Sequence, residues 1–188
     1  MRVGVLALQG DVREHQAILH TLGAETVWVR RTEDLENLDG LVIPGGESTA
    51  ISKLIGIFNL VQPLRDFVAT KPVLGTCAGL ILLSESVEGR LDDQELIGGL
   101  DIVSSRNAYG SQANSFEAIV EYENATEPVA FIRAPKILDT KKSKVLATYQ
   151  GQPVAVQQDN ILAACYHPEI TGSTHLHSLL ITEIDSRQ

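Results

Sequence analysis

Cysteine, positive charge and long apolar runs are all scarce in this chain of 188 residues. Two cysteines, Cys77 and Cys165, are too few for a disulfide scaffold, and a reduced, cytoplasmic protein is expected. Lysine and arginine together number 15 against 24 acidic residues, a formal net charge of −9. That balance speaks against nucleic acid and against an anionic membrane surface as partners. No stretch approaches the roughly eighteen apolar residues of a membrane span. The opening "MRVGVLALQGD" is too short for a signal peptide and reads as a first strand. No G-x-x-x-x-G-K-[ST] loop is present to hold a nucleotide, and the cysteines and histidines lack a zinc-ligand spacing. Repeats, low-complexity tracts and linkers are missing too. What is there is 44% apolar and 21% charged, the composition of a globular protein. One domain spanning residues 1–188 is expected, long enough for a sizeable core.

The first half alternates strand and helix. "VGVLAL" (3–8) is a continuous apolar run, the mark of a strand buried on both faces. Asp11 is placed to cap a helix with Val12, Ile18, Leu19 and Leu22 on one face, and Gly23 to end it. "TVWVR" (26–30) and "GLVIP" (40–44) read as further strands. Ser48 or Thr49 is placed to cap a helix carrying Ile51, Leu54, Ile55 and Phe58. Pro63 suits the first turn of another, with Leu64, Phe67 and Val68. "PVLG" (72–75) is a fourth strand, followed by a helix from Gly79. Such alternation predicts an α/β fold, a parallel sheet with helices on both faces. The second half changes character. "FEAIVEY", "VAFIR", "VLATYQ", "PVAVQQ" and "ILAACYH" are short strands split by turn residues, which predicts a mixed extension of the sheet. A last helix from about Ser173 uses Leu176, Leu179, Leu180 and Ile184.

Chemistry concentrates at three strand ends. Cys77 lies in G-x-C-x-G between a strand and a helix, the thiol counterpart of the G-x-S-x-G nucleophile elbow. The glycines let chain segments pass closely, and the helix start offers free N–H groups to a thiolate. The backbone N–H of Ala78 is placed to receive an oxyanion. A cysteine nucleophile needs a base. His15 and His20 fall on an expected surface helix, and His175 and His177 on the last one. His167 instead ends "ILAACYH" and begins "HPE". In an extended backbone His167 and Glu169 point the same way, so Glu169 can orient the imidazole. "PGGEST" (44–49) is a glycine turn able to present N–H groups to an anion. "RNAYGSQ" (106–112) and "FIRAP" (131–135) each set an arginine at a strand edge, suited to a carboxylate.

Together these residues resemble the class I, triad-type glutamine amidotransferases. Within them the chain is similar to the glutaminase subunits of pyridoxal 5′-phosphate synthases. The motifs that carry the resemblance are "LQGDVREH" (8–15), "PGGEST", "GTCAGLILL" (75–83), "RNAYGSQ", "SFEA" (115–118), "FIRAP" and "HPE". The resemblance implies a three-layer sandwich with a mostly parallel central sheet, flavodoxin-like in outline. It implies hydrolysis of L-glutamine to L-glutamate and ammonia, delivered to a synthase subunit within a large hetero-oligomeric complex that makes vitamin B6 without metal or cofactor in this subunit. By matching position, Cys77 is the nucleophile, His167 the acid/base and Glu169 its orienter. Gly46 and Ala78 furnish the oxyanion hole. Gly46, Glu47, Ser48, Arg106, Ile132 and Arg133 bind glutamine. The family's R-N-x-F-G-R-Q pattern is altered here by Tyr109 and Ser111, and Ser111 is given no role.

Two other readings use the same residues. One is a glutaminase subunit serving a different pathway, such as histidine synthesis. The other is a non-catalytic regulatory domain on the same fold; the complete set of Cys77, His167 and Glu169 argues against it.

Overall fold

The computed structural model describes residues 1–106 and 115–187. Tyr109, Ser111 and most of "RNAYGSQ" lie outside the described residues. The parallel half of the fold is built from β1 (Arg2–Leu6), α1 (Val12–Thr21), β2 (Glu25–Val29), β3 (Gly40–Ile43), α2 (Ser48–Ile57), α3 (Val61–Val68), β4 (Val73–Thr76) and α4 (Ala78–Leu83). Then follow β5 (Ser84–Glu88), β6 (Leu100–Ser105), β7 (Phe116–Tyr122), β8 (Thr126–Phe131), β9 (Lys136–Asp139), β10 (Lys144–Tyr149), β11 (Gln152–Gln158) and β12 (Ile161–Ala164). The helices α5 (Pro168–Thr171) and α6 (His175–Asp185) close the chain.

Among the described residues, one sheet has nine strands in the order β2-β1-β3-β4-β12-β11-β10-β7-β8. The pairings β2/β1, β1/β3, β3/β4 and β4/β12 are parallel. From β12 outward, through β11, β10, β7 and β8, they are antiparallel. The mixed extension is therefore as the sequence predicts, and helices flank the sheet. Strands β3, β4 and β12 are buried at every residue, which is why their sequences are apolar runs rather than alternations. A second sheet, β5-β6-β9, stands apart. Strands β5 and β9 are not legible in the sequence: SESVE and KILD are short and partly polar, and only their neighbour β6 makes them strands.

Two helix starts differ from expectation. The residue at the N-cap of α2 is Glu47, whose carboxylate accepts the Thr49 and Ala50 N–H groups at 3.2 and 2.7 Å. Ser48 and Thr49 lie inside the helix. Asp11 does sit at the N-cap of α1, yet its side chain makes no capping hydrogen bond. The Asp11 carboxylate is turned to other work.

Candidate active site

Four of the five parallel strands of the large sheet each deliver one turn to the same rim. Beyond β1 come Gln9, Gly10 and Asp11; beyond β3, Gly45 to Ser48; beyond β4, Cys77; beyond β12, His167. The strand order reverses between β1 and β3, the place where open α/β sheets bind ligands. The turns there are in near contact: a Cβ on Gly10 would lie 1.8 Å from the Gly45 carbonyl oxygen.

Cys77 occupies φ 48°, ψ −101°, a backbone that only glycine adopts without strain. Such strain at a strand-to-helix turn is the geometry of a nucleophile elbow. The Cys77 N–H donates to the Ala164 carbonyl at 2.8 Å, tying the turn to β12. The flanking glycines are required by close passage. A Cβ on Gly79 would lie 2.1 Å from the Ile43 carbonyl oxygen, and one on Gly75 would lie 2.8 Å from the Gly79 carbonyl carbon. The side chain is only 5% exposed and faces a cavity, with Sγ 3.9 Å from the Ile132 carbonyl oxygen.

His167 is held from both sides. Its backbone bridges Ala130 of β8, donating N–H at 2.8 Å and accepting at 3.4 Å. Its Nδ1 lies 2.7 Å from Glu169 Oε1 and 3.2 Å from Asp11 Oδ2. Carboxylates only accept, so Nδ1 carries the proton and Nε2 is left for Cys77. Burial opposes charge on this imidazole. Hydrogen bonds to Asp11, Cys77 and Glu169, with the Cys77 charge, outweigh it and push the pKa up to about 12. Glu169 is displaced upward by burial, against the His167 hydrogen bond that pulls it down. The expected extended "HPE" does not form. His167 is the N-cap of α5 and Glu169 lies within that helix, with Pro168 at its start. The two side chains meet all the same, within the first turn of a helix rather than on one face of a strand.

A cavity of about 280 Å³ opens above Cys77, near the lower end of small-molecule sites. Gly46, Glu47, Ser48, Cys77, Ala78, Arg106, Ile132, Arg133 and His167 all line it. Glu169 is the one site residue from the sequence that does not, being buried behind His167 at 6% exposure. Arg106 Nη2 lies 3.5 Å from Glu47 Oε1. Burial acts against charge on Glu47, but the Thr49 hydroxyl, the Ala50 and Thr49 N–H groups and Arg106 hold its carboxyl below the usual value. The rim thus carries fixed charges of both signs. Arg133, at φ 46°, is a second strained residue in the lining.

Residues 5–186 match the SNO glutamine amidotransferase family. The chain belongs to that family. It is 48% identical over 190 residues to the "Pyridoxal 5'-phosphate synthase subunit PdxT" of Frankia casuarinae, covering 98% of this chain and 96% of that protein. The protein of the same name from Carboxydothermus hydrogenoformans is 47% identical, with 98% of both covered. A crystal structure of a glutamine amidotransferase superposes with a TM-score of 0.91 at 40% identity, covering 97% of this chain and 98% of that one. The structure of PurLQS from Thermotoga maritima shares the fold at TM-score 0.70 and 13% identity, with 96% of this chain and 97% of that one covered.

This amidotransferase also holds site residues that sequence reasoning missed. Gln9 Oε1 accepts the Glu47 N–H at 2.8 Å, fixing the glycine turn. Asp11 reaches His167. His15, expected on a surface helix, and His177, on the last helix, are both fully buried, whereas His20 is exposed as expected. Their Nδ1 and Nε2 atoms, respectively, lie 2.8 Å apart. One signal was legible. Asp11 and His15 are four residues apart, so α1 shows both from one face toward the sheet end.

The buried histidines predict acid sensitivity. Burial lowers His177 to about 4. It lowers His15 too, aided by the charges of His177 and His167. In an unfolded chain both titrate near about 6.5. The unfolded state therefore binds more protons in that window, and stability drains as pH falls from about 6.5 toward 4. Thermal unfolding followed by circular dichroism should show a midpoint falling over this range, with a shallower fall in His177→Leu. A midpoint flat with pH would refute it.

Proposed function

We infer that this chain is the glutaminase subunit of a pyridoxal 5′-phosphate synthase. It hydrolyses L-glutamine to L-glutamate and ammonia, and passes the ammonia to a synthase subunit in a hetero-oligomeric complex. Family membership and relatives that match nearly end to end support this reading over a subunit for another pathway. The observation that carries the chemistry is a strained Cys77 lining the same cavity as His167, whose imidazole is bonded to Glu169. It also weighs against a non-catalytic regulatory domain. Residues 1–188 act as one glutaminase domain in this reading. Both cysteines are free thiols, which suits a reducing cytoplasm. No helix is long and apolar enough to cross a membrane among the described residues.

In the mechanism we propose, glutamine enters the cavity with its side-chain amide over Cys77. Glu47, Ser48, Arg106 and the Ile132–Arg133 segment hold its backbone groups, the guanidinium suiting the carboxylate. The Cys77 thiolate attacks the amide carbon, forming a C–S bond. The N–H groups of Ala78 and Gly46 receive the oxyanion. His167, protonated on Nε2, gives that proton to the nitrogen as the C–N bond breaks, and ammonia leaves. Water then attacks the thioester while His167 takes its proton. Glutamate leaves and the thiolate returns. Glu169 keeps the imidazole oriented throughout.

The Gly45–Gly46 peptide is the natural point of control. Its carbonyl accepts the Asp11 N–H at a long 3.4 Å, a bond easily given up. Gly46 sits at φ 153°, and a Cβ there would lie 2.5 Å from Gln9 Oε1. Only glycine serves such a turn. A missing oxyanion donor costs about 10²–10³ in rate in a comparable hydrolase. Docking of the synthase would favour the competent peptide orientation, a population shift. Steady-state glutaminase assays should then rise at least about tenfold on adding the synthase. Gly46→Ala should blunt the rise while a small alkylating agent still labels Cys77. Equal turnover with and without the synthase would end the gating idea and leave the triad reading standing.

A further inference from the structure

A second tier of polar groups stands behind the triad, and nothing in the hydrolysis above uses it. His15 is fully buried and touches three of its members. Its Nδ1 lies 2.8 Å from His177 Nε2, and its Nε2 lies 3.1 Å from Thr76 Oγ1 and 3.5 Å from Glu169 Oε2. Thr76 Oγ1 also accepts the Gly45 N–H at 3.1 Å. So His15 stands between the carboxylate that orients His167 and the hydroxyl that anchors the glycine turn.

The tautomer follows from counting donors. Among the described residues, Glu169 Oε2 and His177 Nδ1 are buried without a hydrogen-bond partner. Suppose the His15 proton were on Nδ1, donated to His177. Then His177 would bury an unpaired Nδ1–H, and Glu169 Oε2 would face a bare nitrogen lone pair. With the proton on Nε2, His177 Nε2–H donates to His15 Nδ1. The His15 N–H then points at Thr76 and lies beside the carboxylate oxygen. His177 Nδ1 is then left bare, and the Thr76 hydroxyl, which already accepts from Gly45, accepts this bond too instead of donating into it. Each arrangement leaves one buried donor to place, the His177 Nδ1–H or the Thr76 O–H, so the anion decides: only a proton on His15 Nε2 sets a donor beside Glu169 Oε2.

We propose that His15, oriented by His177, is a positioning residue that holds Glu169 ionised and in place, and so acts on His167 without touching substrate. The inference rests on the triad reading given above. Every ionisable neighbour of this pair has a part in the pH argument. Glu169 faces His167 and Asp11 on one side and His15 on the other, with His177 behind His15 and Cys77 beyond His167. Burial keeps His15 uncharged, so it contributes a dipole rather than a charge. Without that dipole, Glu169 takes up a proton at higher pH and leaves the His167 Nδ1–H to Asp11 alone.

The test uses the assembled complex with its synthase, where kcat and KM for glutamine are measured against pH. His15→Leu should lower kcat about tenfold, leave KM unchanged, and move the acid limb of the profile up by about one pH unit. His15→Gln, whose amide can donate in place of Nε2–H, should recover most of both effects. Equal losses in the two variants with an unmoved acid limb would mean a merely structural role, and the proposal would fall. It would also fall if His15→Leu were fully active. Should His15→Leu not fold, ¹⁵N-histidine NMR of the wild-type protein decides: a protonated Nε2 on His15 is required, and a protonated Nδ1 overturns the proposal. Glu169→Gln separates the two readings. If it costs activity while His15→Leu does not, only the His15 proposal is lost. If it costs nothing, both are.

Discussion

Cys77→Ala is expected to abolish glutamine hydrolysis by the assembled complex, a loss of at least about 10⁴-fold, with folding and synthase binding retained. Cys77 is strained at φ 48°, and alanine bears the same strain as cysteine, so the elbow gains and loses nothing by the change. The side chain is buried, not outward-pointing as an exposed elbow would suggest, but its sulfur faces a cavity rather than packed core. Removing it widens that cavity without stripping contacts from the sheet. Ammonia release measures the chemistry, and co-elution with the synthase measures the docking. Cys165→Ala is the control. Cys165 is fully buried, and burial pushes its thiol far up, so it is no nucleophile at neutral pH. That variant should keep most of its turnover. Comparable loss in both would mean that the working thiol has been misassigned.

The parallel half of the fold was legible because its strands are buried on both faces. An apolar run such as GLVI needs no partner to be recognised. The outer half was less legible because its strands exist through pairing. β9 and β5 are strands only by virtue of β6 between them, a contact no local pattern announces. The proposed triad is legible for another reason. G-x-C-x-G is dictated by backbone clashes at Gly75 and Gly79, and such local steric demands leave a local mark. In "HPE" the two side chains do meet at 2.7 Å, but Pro168 starts a helix there instead of prolonging a strand.

The residues that escaped are those whose role depends on tertiary direction. A helix N-cap aspartate has an ordinary use, and Asp11 looks like one. Only the turn of α1 toward the sheet end shows that its carboxylate meets His167. The same turn buries His15 among polar partners. Glu47 was read as a ligand group on a turn and is also the cap of α2. A capping carboxylate aligned by Thr49 and Ala50 is fixed in direction, and a fixed charge at a pocket rim discriminates better than a mobile one.

His167→Asn should approach the Cys77→Ala loss, about 10⁴-fold, because thiol and imidazole act as one unit. Glu169→Gln should be milder, and the structure supplies the reason. In a serine-protease triad, the equivalent carboxylate-to-amide change costs about 10⁴-fold by stabilising the wrong imidazole tautomer. Here Nδ1 has a second acceptor, Asp11 Oδ2 at 3.2 Å. That carboxylate still prefers a protonated Nδ1, so Nε2 stays free to serve Cys77 in a substantial share of molecules. A loss of no more than about 10²-fold is expected for Glu169→Gln alone. Glu169→Gln combined with Asp11→Asn removes both acceptors and should fall to the level of His167→Asn. Single-turnover measurements of thioester formation would read His167→Asn, Glu169→Gln and the double variant on one scale. If Glu169→Gln by itself reaches the His167→Asn level, Asp11 gives no support to the imidazole. If Glu169→Gln leaves the rate unchanged, Glu169 is not the orienter and the short 2.7 Å contact is merely structural.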